Sequence, residues 1–139
     1  SMIQYLLRPG GILSAKGKMV CMNKKGIDDM TAVSVRFESG LDAKIIVTWL
    51  SPQKKRKLTI VGSEKTAIFD DVKEKDKLTI IDRKSGNQST PRINAREPLR
   101  NQVEHFIRCI KTGEKSLTGI DASYEITEWL DKISKSVNI

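Results

Sequence analysis

The last third of the chain, Glu97 to Ser136, carries two helical periods in succession, and two amphipathic helices need an apolar surface to cover. Pro98 suits a first helical position, because its fixed φ fits the turn and its missing N–H would go unpaired there anyway. Leu99, Val103, Phe106, Ile107 and Ile110 then recur on one face, and Gly113 supplies a left-handed stop. In the second period Asp121 is the expected N-cap, and Ile126, Trp129, Leu130, Ile133 and Val137 form the stripe. Both helices are predicted to bury one face.

The surface they would cover is written upstream. Ile12 to Met22 reads as a strand with Leu13, Ala15, Met19 and Cys21 on one side and Ser14, Lys16 and Lys18 on the other. Met30 to Phe37 alternates Val33, Val35 and Phe37 against Ser34 and Arg36, and Ser39-Gly40 turns it into Leu41 to Leu50. There Ala43, Ile45, Val47 and Trp49 share one face, and Lys44, Ile46, Thr48 and Leu50 the other. Ser51-Pro52 interrupts, and strands follow over 57–61, 66–69 and 77–82, separated by Gly62 to Lys65 and a charged bend. Arg83 to Arg96 has no periodicity and is read as a long loop. Met2 to Leu7 is expected to be the last turns of a helix that begins outside the sequence, with Ser1 a residue left by tag removal.

Five or six strands with short reversals imply a mainly antiparallel sheet, and strands before helices imply an α+β two-layer sandwich with the helices on one face. At 139 residues the length suits a single domain over 1–139. No apolar run is long enough to cross a bilayer and no leader pattern is visible, so a cytoplasmic protein is expected.

Lys and Arg number 25 against 17 acidic residues, a net charge of +8, which raises a polyanion as a partner. The basic residues are scattered except for Lys54, Lys55, Arg56 and Lys57, and seven aromatic residues are too few for a base-stacking platform, so nucleic acid is disfavoured. Cys21 and Cys109 form no C-x-x-C pair and are read as buried free thiols; the single histidine, His105, is read as structural, and no metal is expected.

The run from Glu97, with EPL at its head, HF inside the first helix and TG-D-A before the second, resembles the carboxy-terminal domain of the Gfo/Idh/MocA oxidoreductases. The resemblance extends upstream through DDMTAVSVRFESGLDAKIIVTW and KLTIVGSEKTAIF, over roughly residues 28–69 and 97–136. It implies a glyceraldehyde-3-phosphate dehydrogenase-like C-terminal fold, a preceding Rossmann domain that binds NAD or NADP, and a sugar or nucleotide-sugar substrate. It also implies a homodimer through the open sheet face, where Lys44, Ile46, Thr48 and Leu50 stand. Lys65 departs from the family pattern, since many members carry a second glycine there; a lysine would be strained at positive φ.

Chemistry within the chain itself is sparse. No G-x-G-x-x-G, G-x-S-x-G, H-E-x-x-H or phosphate-cradling Gly-Lys-Ser/Thr occurs, so no cofactor and no catalytic residue is assigned to this chain. The family's lysine and its Asp and His would precede Met2. Arg92, Asn94 and Arg96 are the substrate-binding candidates, because Arg and Asn hydrogen-bond hydroxyls and phosphates well. The leading expectation is a substrate and dimerisation domain that is inactive without its Rossmann half. The competing one is a stand-alone binding module that uses the basic surface at Lys54 to Lys57.

Overall fold

A computed structural model describes residues 2–23, 27–93 and 96–138. The chain is α+β, and its strands divide between two sheets. Two compact units result: Ser1–Leu50 with Arg108–Ile139, and Ser51–Ile107. The boundary falls inside helix α2, Pro98–Thr112, which is one unbroken helix, so the geometry along it is set by the helix alone.

In the first unit, helix α1 (Met2–Leu7) leads into β1 (Ile12–Val20), β2 (Met30–Phe37) and β3 (Asp42–Thr48). The strands form an antiparallel meander, and β8 (Val137–Asn138) adds in parallel on the far side of β1, giving the order β3-β2-β1-β8. Period-two alternation does what it should in β2: Val33, Val35 and Phe37 are 5%, 2% and 1% exposed. Helix α3 (Ile120–Ser136) packs on β1. It drives Trp129 into the core beside Phe37, ring centroids 4.9 Å apart and planes tilted by 59°. Ile133 packs around the same cluster, so the second helical stripe buries at Trp129 and in part at Ile133, while Leu130 stays 60% exposed and Val137, expected on the helix, packs there from strand β8.

Three details depart from the sequence reading. Leu13 is exposed and Ile12 is buried instead, because the β1–β2 register shifts between Ile12 and Ser14 and turns Leu13 outward. The N-cap of α3 is Gly119 in extended backbone, not Asp121; the helix starts earlier than the carboxylate, which falls in the first turn where it favours the positive end of the dipole. Val47 and Trp49 lie on the inner side by alternation, yet they are 62% and 86% exposed, since β3 is an edge strand and ends at Thr48.

The second unit holds β4 (Lys57–Val61), β5 (Lys65–Asp70), β6 (Leu78–Asp82) and β7 (Gln88–Ser89), an antiparallel sheet in sequence order. β7 lies inside the stretch read as an unstructured loop; it is two residues long, too short for any periodicity to announce it. Asp82 builds the turn before it, its Oδ1 accepting from the Ser85 N–H at 2.8 Å and the Lys84 N–H at 3.1 Å. Lys65 is in extended strand backbone, outside the positive-φ residues, so the turn has no need of a second glycine. No residue of β4 to β7 is fully buried.

Helix α2 begins at Pro98 and ends at Gly113, where φ is +70°, both as expected. Its apolar face, however, stays open: Leu99, Val103, Phe106, Ile107 and Ile110 are 44–68% exposed, so the expected burial of this stripe is not met within the chain.

Candidate functional site

The first unit holds a cavity of about 760 Å³ lined by α1, the turn after it and the approach to α3. Met2, Tyr5, Leu6, Leu117, Ala122 and Ile126 give it an apolar wall. The turn is held open by geometry the sequence specifies. Gly10 takes φ +78°, and Gly11 donates its N–H to the Glu38 carboxylate at 2.9 Å, while Glu38 returns its own N–H to the Gly11 carbonyl at 2.9 Å. Opposite, the Gln4 side-chain amide donates to the Glu125 carboxylate, joining the two walls. The cavity can therefore hold an apolar or amphipathic surface with one carboxylate at its side.

Arg92 is exposed, and Asn94 lies outside the described residues. Arg96 lines a smaller cavity of about 400 Å³ with Glu97 and Arg100 at the start of α2. Glu104 faces both guanidiniums there, 2.8 Å from Arg100 Nε and 3.8 Å from Arg96. Its carboxyl is held below the usual range, chiefly by the Arg100 hydrogen bond, and Arg100 is pushed up in turn. Arg100, one helical turn along from Arg96, is the residue the sequence reading passed over; the spacing of four was the available signal.

Lys44, Ile46 and Thr48 do share the open face of the first sheet, opposite Ser34, Ala32 and Met30 of β2. Lys16 and Lys18 join them across Ser34 and Ala32, so the face is basic, and no acidic residue stands opposite any of the three lysines in the register. Leu50 lies beyond the strand end, its N–H donated to Thr48 Oγ1 at 3.0 Å. At the Lys54 to Lys57 cluster part of the charge is offset: Arg56 is 3.7 Å from Asp71 and Lys57 4.0 Å from Asp70.

Cys21 and Cys109 are not joined in a disulfide and are half-buried rather than buried. The donor atoms of His105, Cys109 and Glu114 lie within 4.8 Å of one another, the group among the described residues that could hold a metal ion. No helix among the described residues is long and apolar enough to cross a membrane.

No family model matches the sequence, and no curated protein matches it. Solved structures do match the fold. UDP-N-acetylglucosamine 3-dehydrogenase from Acidithiobacillus ferrooxidans superposes with a TM-score of 0.82 at 15% identity, over 92% of this chain and 41% of that one. A levoglucosan dehydrogenase in complex with NADH and levoglucosan gives 0.78 at 14% identity, over 97% of this chain and 44% of that one. The biliverdin reductase of Synechocystis sp. PCC 6803, bound to biliverdin and NADP+, gives 0.71 at 17% identity over 91% and 40%. At such identities the likeness shows the α+β fold and nothing finer. The chain spans about 40% of the length of these proteins.

Proposed function

We propose that this chain is the carboxy-terminal domain of a larger NAD(P)-dependent oxidoreductase of the Gfo/Idh/MocA type, acting on a sugar or nucleotide sugar. The observation that carries the proposal is the coverage: the fold accounts for 92% of this chain but 41% of a nucleotide-sugar dehydrogenase. In this reading the remaining part is a Rossmann domain that holds the nicotinamide and performs hydride transfer, and this chain supplies walls and interfaces.

Exposed apolar surface supports the same reading. Tyr5 and Leu6 at the cavity, Leu99, Phe106 and Ile110 on α2, and Trp49 at the end of β3 are all more than half exposed. A partner domain or subunit would cover these side chains. Arg92, Asn94 and Arg96, joined by Arg100, are proposed to meet substrate hydroxyls or phosphates. The open face of the first sheet, with Lys44, Ile46 and Thr48, is proposed as a homodimer interface. Lysines on a two-fold interface repel, so association should strengthen as salt rises.

An immunoblot of source cells with an antibody against this domain tests the proposal. A polypeptide well over twice 15.6 kDa is expected, and its purified form should reduce NAD or NADP with a sugar; a band near 15.6 kDa overturns the reading. In the whole protein, replacing Arg92, Asn94 and Arg96 with Ala should raise the Michaelis constant for the sugar, and an unchanged constant removes them from the site. Sedimentation at high protein concentration should show a dimer. A monomer there rules out the sheet interface.

A further inference from the structure

We propose that His105, Cys109 and Glu114 form a binding site for zinc or a metal of similar preference at the carboxy-terminal end of α2. All three lie within ten consecutive residues, and the local backbone brings them together. His105 and Cys109 are four apart on one helix, which places them on one face a turn from each other. Gly113, at φ +70°, then reverses the chain, its N–H bonded to the Cys109 carbonyl at 2.9 Å, and carries Glu114 back toward the helix. Thr112 steadies the reversal, donating its hydroxyl to the Arg108 carbonyl at 2.8 Å and accepting the Glu114 N–H at 3.3 Å.

The three donor atoms come within 4.8 Å of one another. Ligands of a tetrahedral zinc ion stand roughly 3.5 Å apart, given Zn–N and Zn–O near 2.1 Å and Zn–S near 2.3 Å, so closing on a metal asks for about an ångström of side-chain rotation. One imidazole nitrogen, one thiolate sulfur and one carboxylate oxygen suit Zn²⁺ or Co²⁺; the sulfur and nitrogen disfavour Mg²⁺ and Ca²⁺, which take oxygen. Three protein ligands leave a fourth position for water. His105 and Cys109 are half-buried and Glu114 is exposed, so an ion has a path in from solvent.

Charge balances as well. Binding releases the Cys109 thiol proton to solvent, and one thiolate with one carboxylate then neutralises a dication. Arg108 holds one Glu114 oxygen, its Nε 2.8 Å from Oε1, which leaves Arg108 as the outer partner that orients the carboxylate. Its positive charge also limits affinity, so the site should load reversibly.

Cobalt reads the site directly. Co²⁺ added to the metal-stripped chain should give a sulfur-to-metal charge-transfer band and intense tetrahedral d–d bands that saturate near one equivalent. Cys109→Ser should abolish the charge-transfer band, and His105→Ala and Glu114→Gln should each weaken binding about tenfold or more. Cys21→Ser should change nothing. Absence of the band, its loss in Cys21→Ser, or its survival at undiminished affinity in both His105→Ala and Glu114→Gln would overturn the site. On the unaltered chain, Zn²⁺ should slow alkylation of Cys109 and leave Cys21 untouched, as mass spectrometry can follow. Equal protection of both thiols, or none, also overturns it.

Discussion

β1 to β3 and β4 to β6 are each a three-stranded antiparallel meander of alternating residues, yet only the first has an interior. Val33, Val35 and Phe37 of β2 are at most 5% exposed, whereas no residue of β4, β5 or β6 falls below the half-buried range. The difference is the cover. Helix α3 lays Trp129 and Ile133 over the first sheet, and no such cluster of buried residues forms on the second among the described residues. Alternation prepares a face for burial; a packed helix is what removes it from water.

The sharpest way to break that contrast is to excavate one residue from each sheet. Phe37→Ala should cost about 3–5 kcal/mol of unfolding free energy, because it empties a dry site and strips Trp129 of its ring partner. Ile80→Ala in β6, half-buried, should cost about 1 kcal/mol. Urea titrations of both variants measure the ratio, and equal losses would mean that the second sheet is covered in solution.

A pair of glycines gives the next contrast. A Cβ on Gly17 would stand 2.5 Å from Val33 Cγ2 and 2.7 Å from the Ala32 carbonyl oxygen, beside the parallel strand β8. Gly17→Ala should therefore cost about 1–3 kcal/mol. At Gly62, in the turn of the second sheet, the nearest atom would be the Lys65 carbonyl oxygen at 3.2 Å, and Gly62→Ala should cost less than about 1 kcal/mol. Thermal unfolding of the two variants orders them.

Acid sharpens the comparison further, since each sheet has a turn held by an aspartate whose carboxyl is lowered. Asp29 accepts the Asn23 and Met22 N–H groups at 2.8 Å each and the Asn23 side-chain amide at 2.9 Å, which holds its carboxyl below the usual range. Asp82 is lowered mainly by the Ser85 N–H and hydroxyl. A carboxyl lowered in the folded state stabilises above its unfolded value, near pH 4, and loses that contribution as pH falls through the folded value. Asp29→Asn should lower Tm at pH 7 by roughly 5 °C and flatten the decline between pH 5 and pH 2. Asp82→Asn should do the same on a smaller scale, because its turn is more exposed. Scanning calorimetry across that range checks both.

The smallest effect expected is at Arg36 and Asp42, bonded across β2 and β3 but 59% and 60% exposed. A double-mutant cycle should return a coupling smaller than any of the effects above, and it should vanish in high salt.

Legibility followed the range over which each signal acts. The limits of α2 could be read from Pro98 and Gly113 because caps are local chemistry. β2 was legible residue by residue, since strict alternation of Val33, Val35 and Phe37 leaves one register. Ile12 was not, because the bulge that swaps it with Leu13 is settled by the partner strand. At the candidate sites, Arg96 was read and Arg100 was missed, although both face Glu104. The grouping of His105, Cys109 and Glu114 was missed because a lone histidine was weighed by itself, without Cys109 one turn on and the reversal at Gly113.

The sequence by itself determined the kinds and order of the longer elements, the turn glycines and the charged outer face of the first sheet, since these depend on neighbours within a few residues. Only the tertiary structure decided that the strands split into two sheets, that β8 adds in parallel to β1, and that α3 buries Trp129 while α2, amphipathic as well, leaves its stripe open. Periodicity states that a face can be buried. Which face is buried depends on what the rest of the chain brings against it, and that is a contact between residues far apart in sequence.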